Sequence, residues 1–183
     1  MLCGQRGQDH VINVFDRNNM AEVRDVIQLP GIRPGTIAAC SISNCVYVCH
    51  VDLEELTKPD SVLRIKKTEE QPFTMSPWIT DIMLPLVTIS VSDHGSLITL
   101  SSYPGPISIY SIIRIYAANG FLQHEVLLYH HEVGLTSVDN VIQKSNGNFI
   151  LVSDDSKSFT DSVINYTKLV KTDMFGVDIN QHL

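Results

Sequence analysis

Three strand–turn–strand segments recur along this chain at nearly equal intervals. In residues 140–152 an alternating run, a Ser-Asn-Gly-Asn turn and a second apolar run predict a β-hairpin. Residues 88–100 have the same form, and residues 36–48 are a more divergent copy. The second strands of these hairpins begin at Val46, Leu97 and Phe149, so successive copies lie 51 and 52 residues apart. A chain that repeats in this way has to fold as a row of similar units.

A second landmark repeats with almost the same period. The strand predicted after each of the first two hairpins carries Ile65 and Ile115, which are 50 residues apart. We place their counterparts at Val14 upstream and at Val170 downstream. A period near fifty residues with about four short strands is typical of β-propeller blades, each of which is a four-stranded antiparallel sheet.

The remaining pattern predicts an all-β protein. Apolar runs of four to six residues are rich in β-branched side chains and are separated by turn signals, as at 11–15, 62–65, 112–116 and 125–129. Residues 22–29 fit either a strand or a short helix, whereas 52–61 and 153–160 are predicted loops. We expect one propeller-like domain over 1–183, with a partial blade at 1–30 and blades at about 31–82, 83–132 and 133–183.

About three and a half blades are fewer than the four to eight of a closed propeller. The chain could be part of a larger ring, such as half of a six-bladed propeller, or two chains could complete one ring. It could also close as four blades. We favour an incomplete ring from a longer propeller. An open arc exposes blade edges and apolar faces, so we expect possible self-association through them.

The repeated unit resembles the NHL-type repeat of six-bladed propellers. The resemblance rests on an apolar run, an Asp/Asn-Gly turn, a second apolar run, a loop and the pattern R-I-x-x-x-x-x-G at 114–120. Residues 64–65 and 170–176 carry partial copies of that last element. Two departures are the hairpin turn at Asn44, which lacks glycine, and Ser101, where the family has Asp.

This resemblance implies a non-catalytic scaffold that binds a protein or peptide through loops at one end of its blades. Arg33 and Tyr103 lie in loops predicted at such an end and are the binding candidates. The alternative that the resemblance implies is a calcium-dependent lactone or ester hydrolase with carboxylates facing a central channel. The predicted innermost strands offer only Asn140 for that role, so we expect no enzyme activity and no cofactor.

Composition narrows the classes of partner. The net charge of −7 argues against binding to nucleic acid or to an anionic membrane, because both attract clustered Lys and Arg. No apolar run approaches the ~20 residues of a transmembrane helix, and no signal peptide is evident. We therefore expect a cytoplasmic protein without membrane association.

Other reactive side chains fit structural roles in the sequence. Cys40, Cys45 and Cys49 fall in apolar strands and are predicted to be free thiols, while Cys45 and Cys49 are too far apart along a strand to share a zinc ion. The 130–132 segment, His-His-Glu, is predicted to be a solvated loop, and the paired carboxylates at 54–55, 69–70 and 154–155 solvated acidic loops. Trp78 is predicted to lie in the core or between blades, and no metal site is expected.

Overall fold

The fold is that of a computed structural model, which describes residues 2–6, 9–15, 18–19, 22–30, 32, 34–50, 60–66, 73–82, 84–102, 110–159 and 162–177. Side chains are described for these residues except 2–6, 9, 81, 155–159 and 162–165. Within these ranges the chain forms fourteen β-strands and no helix, which confirms the prediction of an all-β protein.

The strands form four antiparallel sheets in which neighbours in sequence are neighbours in space. The first sheet contains β1 (Leu2–Arg6), β2 (Asp9–Phe15) and β3 (Val23–Leu29). The second contains β4 (Pro34–Cys40), β5 (Cys45–His50), β6 (Asp60–Lys66) and β7 (Thr74–Ile82). The third contains β8 (Leu86–Val91), β9 (Leu97–Ser102), β10 (Tyr110–Tyr116) and β11 (Leu122–Tyr129). The fourth contains β12 (Asn140–Gln143), β13 (Phe149–Phe159) and β14 (Ser162–Thr172).

Each predicted hairpin closes through a residue with positive φ. Gly95 and Gly147 have φ values of 82° and 88°, in the region that glycine enters without steric cost. In the β4–β5 turn Asn44 adopts the same conformation, with φ of 47°. Asparagine is among the few side-chain-bearing residues that tolerate this region, so the turn forms without glycine.

The two middle sheets bury both of their faces. Adjacent residues of a strand point to opposite faces, so Tyr47 packs toward the third sheet while Val48 packs toward the first. In the same way Leu97 packs toward the second sheet and Ile98 toward the fourth. All four side chains are fully buried. The sheets therefore stack face to face in chain order.

Three apolar clusters lie in the three spaces between consecutive sheets. The cluster between the first and second sheets has as its buried members Ile12, Ile27, Leu29, Val48 and Ile65. Between the second and third sheets they are Cys40, Cys45, Tyr47, Cys49, Val62, Ile79, Ile82, Leu86, Ile89, Leu97 and Tyr116. Between the third and fourth sheets they are Ile98, Leu100, Ile113, Ile115, Val126, Leu128, Val133, Leu135, Val138, Val141, Phe149, Leu151 and Val170.

The first strands of the second, third and fourth sheets lie beside one another. Strand β8 contacts both β4 and β12. The amide of Ile89 donates a hydrogen bond to Thr36 Oγ1 at 3.2 Å, and Ser90 Oγ donates one to the Val141 carbonyl at 2.8 Å. These bonds hold the three sheets together along the strands that begin them.

The structure decides between the two interpretations of residues 22–29 and adds one strand near the N-terminus. Val23–Leu29 form strand β3, as the extended interpretation predicted. Strand β1 was not predicted, because its sequence LCGQR has no apolar alternation. It forms by pairing along β2, from Leu2 opposite Asn13 to Arg6 opposite Asp9. In 52–61, only residues 60 and 61 are described, and they begin β6.

The prediction of a loop at 153–160 was wrong for residues 153–159, and residue 160 lies outside the described residues. Strands β13 and β14 continue as a long two-stranded ribbon, paired from Phe149 opposite Thr172 to Phe159 opposite Ser162. The Thr167 hydroxyl donates to the Asp154 carboxylate across the ribbon at 2.9 Å. Beyond the end of β12 the two strands of this ribbon pair with each other and, among the described residues, not with a third strand. Polar residues are therefore tolerated there, and the amino-acid composition of the ribbon resembles that of a loop.

The observed strand register also changes how the copies align. Val46 pairs with Ile65, Leu97 with Tyr116, and Phe149 with Thr172. Since Val46, Leu97 and Phe149 are equivalent hairpin positions, Ile65 corresponds to Tyr116 and not to Ile115. The R-I pattern aligns Arg64 with Arg114 in the sequence. In the structure the alignment is shifted by one residue, so Arg64 occupies the position equivalent to Ile115.

Replacing a side chain between the third and fourth sheets tests this stacking. Phe149 is fully buried there, so Phe149→Ala should lower the free energy of unfolding by about 3–5 kcal/mol. Phe121 is 74% exposed, so Phe121→Ala should change it by no more than about 0.5 kcal/mol. Urea unfolding measures both values, and equal effects of the two substitutions would contradict the packing.

Candidate functional site

An open cavity of about 330 Å³ lies between the first and second sheets. Its apolar wall consists of Val14, Ile27, Ala39, Val46, Ile65 and Phe73. Its polar lining consists of Asp25, Ser41 and Asn44. Cys40 and Cys45 also border it, but their side chains point to the opposite face, into the cluster between the second and third sheets. The volume is at the lower end of the range for ligand pockets, and it is about twice a ~150 Å³ cavity that admits benzene in another protein. An apolar wall with a few polar groups is the usual composition of a binding pocket.

The β4–β5 hairpin places the polar side of the cavity. Its four-residue turn, 41–44, brings Ser41 and Asn44 to the cavity together with the ends of both strands. The first sheet supplies the opposite wall, where Val14 on β2 and Asp25 on β3 are direct cross-strand partners. The cavity is therefore built by rigid strands and one tight turn.

The equivalent space between the second and third sheets is filled. Val62 and Ile79 pair across β6 and β7 as Ile12 and Ile27 pair across β2 and β3. Two residues further along β6, where β2 has Val14, lies Arg64. Its guanidinium carbon sits 3.6 Å above the centre of the Trp78 ring.

The β10–β11 turn packs against this pair. A Cβ atom on Gly120 would lie 3.6 Å from Trp78 ring carbons, so the indole packs directly on the turn. The Tyr47 ring lies 6.3 Å from the Trp78 ring on the other side. The predicted place of Trp78 between sheets is thus confirmed, and it packs on the cluster between the second and third sheets. Arg64 Nε and Trp78 Nε1 are both buried and have no hydrogen-bond partner in the described part of the chain.

The equivalent space between the third and fourth sheets is filled as well. Ile115 occupies the position of Arg64 and is buried, and His124 is its cross-strand partner on β11. The His124 ring lies edge-on to Phe175, with ring centroids 6.1 Å apart. Its Nε2 is 3.1 Å from the Met174 carbonyl. Close packing continues at Gly176, where a Cβ atom would lie only 2.9 Å from Val126.

The cavity therefore arises from short side chains at one repeated position. Val14 stands where the second sheet has Arg64, which stacks on Trp78, and where the third sheet has Ile115, which pairs with His124. The cross-strand partner of Val14 is Asp25, whereas that of Arg64 is Ser76. No sequence motif marked these residues as a site. The cavity could have been predicted from the smaller side chain at this position in one copy of the repeat. That comparison requires the correct strand register, which the sequence alignment did not provide.

The two binding candidates from the sequence, Arg33 and Tyr103, lie outside the described residues. Asn140 begins β12, as the sequence predicted for a first strand. Its side-chain oxygen is 2.8 Å from the Val141 amide and accepts a hydrogen bond from it.

The prediction of a solvated loop at 130–132 holds for His131 and Glu132 but was wrong for His130. The His130 side chain is only 3% exposed. Its Nε2 lies 2.8 Å from Ser111 Oγ, and Ser111 Oγ lies 2.8 Å from Ser102 Oγ. Because Ser111 is fully buried, this row of polar groups joins the ends of β9, β10 and β11 and is closed to a substrate. The signal was present in β11, where Val126 and Leu128 point inward and His130 continues the alternation.

A second buried polar contact fixes the connection between the second and third sheets. The Asp60 carboxylate accepts a hydrogen bond from the Leu86 amide at 2.6 Å. Burial raises the pKa of the Cys49 thiol to about 12, and the charge of Asp60 contributes in the same direction. Burial also raises the pKa of Tyr47 to about 12. The thiol and the phenol are therefore neutral at physiological pH.

Among the described residues, no group of three or more His, Cys, Asp or Glu side chains could hold one metal ion. Cys40, Cys45 and Cys49 are free and buried, as predicted from their place in apolar strands. In the described part of the chain, no helix is long and apolar enough to cross a membrane.

Comparison with known proteins places this chain in no family. No protein-family model matches the sequence, and no curated protein matches it. The function therefore has to be argued from the geometry of the chain itself.

Removing one hydroxyl tests the buried Ser–His contact. Ser111→Ala leaves the Nε2 atom of the buried His130 without this partner, so the free energy of unfolding should fall by about 1–3 kcal/mol. Ser145 is exposed in a turn, and Ser145→Ala should change it by less than about 0.5 kcal/mol. Both values come from urea unfolding. If Ser111→Ala is as stable as its control, the contact between Ser111 and His130 does not contribute to the free energy of unfolding.

The raised pKa of Cys49 predicts a loss of stability in alkali. The unfolded thiol releases its proton near its ordinary pKa of 9.0, whereas the folded thiol keeps it until about 12. The folded state therefore binds more protons between these values, so stability is complete below pH 9 and falls as pH rises toward 12. Cys49→Ala should flatten this fall. Unfolding measured across the range under reducing conditions checks it, and an unchanged slope in the variant would exclude Cys49 as a cause.

Proposed function

We propose that this chain is a non-catalytic binding module that holds an apolar side chain of a peptide in the cavity between its first and second sheets. The observation that carries the proposal is the contrast among three equivalent interfaces, of which two are filled by side chains and one contains the cavity. Binding at such a place needs no movement of the strands, which lowers the cost of association.

The lining suits a side chain that arrives with its backbone attached. Ile27, Val46 and Ile65 provide an apolar wall for an aromatic or aliphatic group. Ser41 and Asn44 line the same cavity from the hairpin turn and carry groups that can hydrogen-bond to a peptide backbone. The acidic net charge of −7 favours a neutral or basic partner segment over an acidic one.

The architecture we propose for the module is an arc of propeller blades of the NHL type. Its support is the order of strands within each sheet, the face-to-face stacking in chain order and the contact of β8 with β4 and β12. Radial stacking of blades brings first strands together in this manner. Protein binding through blade ends and self-association through blade edges belong to the same proposal.

The proposed binding is tested with a ligand that imitates one residue of a peptide. N-acetyl-tryptophanamide should cause saturable shifts in the methyl resonances of Val14, Val46 and Ile65. N-acetyl-glycinamide has the same backbone groups without the indole, and it should cause none. Methyl groups far from the cavity, such as that of Val170, provide an internal reference.

A matched pair of variants identifies the place of binding. Val14→Phe fills the cavity and should abolish the shifts without lowering stability. Val26 lies on the same first sheet and is 41% exposed, and Val26→Phe should leave binding unchanged. The proposal fails if the tryptophan derivative causes no shifts up to its solubility limit, or if Val14→Phe binds it as well as the unmodified chain.

A further inference from the structure

The hairpin that lines the cavity places two cysteines directly opposite each other. Cys40 ends β4, Cys45 begins β5, and the register pairs them across the turn. Opposed residues in antiparallel strands have Cα atoms about 4.5–5.5 Å apart. A disulfide spans Cα separations of about 4.4–6.8 Å, so the backbone already stands at a distance that a disulfide can bridge.

The two thiols currently point to other groups. Cys40 Sγ is 3.9 Å from the Gly95 carbonyl in the neighbouring sheet, and Cys45 Sγ is 3.0 Å from Ser43 Oγ in the turn. In both contacts the sulfur atom can move by rotation of the cysteine side chain, and the backbone of the strands need not shift. Rotation about the Cα–Cβ bonds can therefore bring the sulfur atoms together within the existing hairpin.

The two thiols share one face of the hairpin. The side chains of Cys40 and Cys45 are only 3% and 5% exposed, and both belong to the apolar cluster between the second and third sheets. Only the turn 41–44 separates them in sequence, and Ser41, Ile42 and Asn44 in that turn are exposed. The pair therefore lies at the turn end of the hairpin, next to solvent-exposed residues.

Cys49 provides a contrast within the same strand. It lies opposite Val62, so it has no thiol across the sheet. Burial also raises its pKa to about 12. The thiolate is the reactive form of cysteine, so the Cys49 thiol stays in its unreactive protonated form at physiological pH.

We propose that Cys40 and Cys45 form an oxidisable dithiol that hydrogen peroxide converts to an intramolecular disulfide. One sulfur attacks an oxygen of hydrogen peroxide, the O–O bond breaks, and a sulfenic acid and water form. The second sulfur then attacks the first, the S–S bond forms, the S–O bond breaks, and a second water leaves. The thiols lose two protons and two electrons in total, and the peroxide is reduced to two water molecules.

Oxidation changes a contact between the second and third sheets. To form the disulfide, Cys40 Sγ leaves the Gly95 carbonyl, and Cys45 Sγ leaves Ser43 Oγ. The β4–β5 turn is also packed against the next hairpin through Ile42, which lies 3.3 Å from the position of a Cβ atom on Gly95. The disulfide therefore alters the point at which the second and third sheets meet at their turns.

The test uses the full chain with Cys3→Ser, which removes the thiol whose side chain is not described. The folded protein is treated with hydrogen peroxide equimolar to the chain. It is then unfolded in urea so that all remaining free thiols are alkylated, and intact mass and fragmentation are measured. We expect a loss of about 2 Da from the two thiol hydrogens. Fragments from cleavage between residues 40 and 45 should be absent, because the disulfide holds the two parts together. Cys49 should carry the only alkyl group, and dithiothreitol should reverse the change in mass.

Three variants in the same background assign the bond. Cys49→Ser should still form the disulfide, whereas Cys40→Ser and Cys45→Ser should not. The inference is overturned if the folded chain keeps three alkylatable thiols, if the linkage includes Cys49, or if Cys40→Ser still loses the two hydrogens. If one of these variants fails to fold, fragment mapping of the disulfide in the Cys3→Ser chain still shows which cysteines are linked. No ligand is used, so failure of the proposed peptide binding would leave this result unaffected.

Discussion

Burial of both faces of a thin sheet is the constraint on which this structure depends. Each middle sheet has to provide apolar side chains at consecutive positions, because neighbours such as Tyr47 and Val48, or Leu97 and Ile98, enter different interfaces. A sheet of this kind is stable only between two others. The hairpins, their turns and the contacts among β4, β8 and β12 all serve to keep the sheets stacked in this order.

Given this stacking, local differences among the copies decide what each interface contains. The same backbone position carries Val14, Arg64 or Ile115, and the result is a cavity, a cation stacked on an indole, or continuous apolar packing. The site we propose is thus an interface whose facing side chains are too short to close it. A repeat protein can acquire a binding site in this way without changing its backbone.

Polar groups inside the structure follow the same logic. His130 and Asp60 are buried at the ends of strands, where each meets a specific partner, Ser111 in one case and the Leu86 amide in the other. Buried polar groups are tolerated when they are hydrogen-bonded, and here the bonds join strands or sheets that could otherwise separate. The same hairpin ends that hold the sheets together also bring Cys40 and Cys45 opposite each other, so a structural element carries the potential chemistry.

Much of the fold could be predicted from local patterns. The alternation of apolar residues, the Asn-Gly and His-Gly turns and the period near fifty residues identified an all-β chain of repeated antiparallel hairpins. Errors arose where local composition was ambiguous. The polar ribbon of β13 and β14 resembles a loop, and β1 lacks any alternation, because in both cases pairing with another strand provides the order. His130 could have been assigned to the interior from the alternation of β11.

The amino-acid sequence by itself determined the class of fold, the positions of most strands and the residues able to close their turns, since these depend on side-chain periodicity and on φ over a few residues. Only the tertiary structure decided the register between strands, which side chains meet across two sheets and where they leave space. Those properties depend on contacts between residues far apart in the chain. The cavity lined by Val14 and Asp25, and the pairing of Cys40 with Cys45 beside it, belong to this second group.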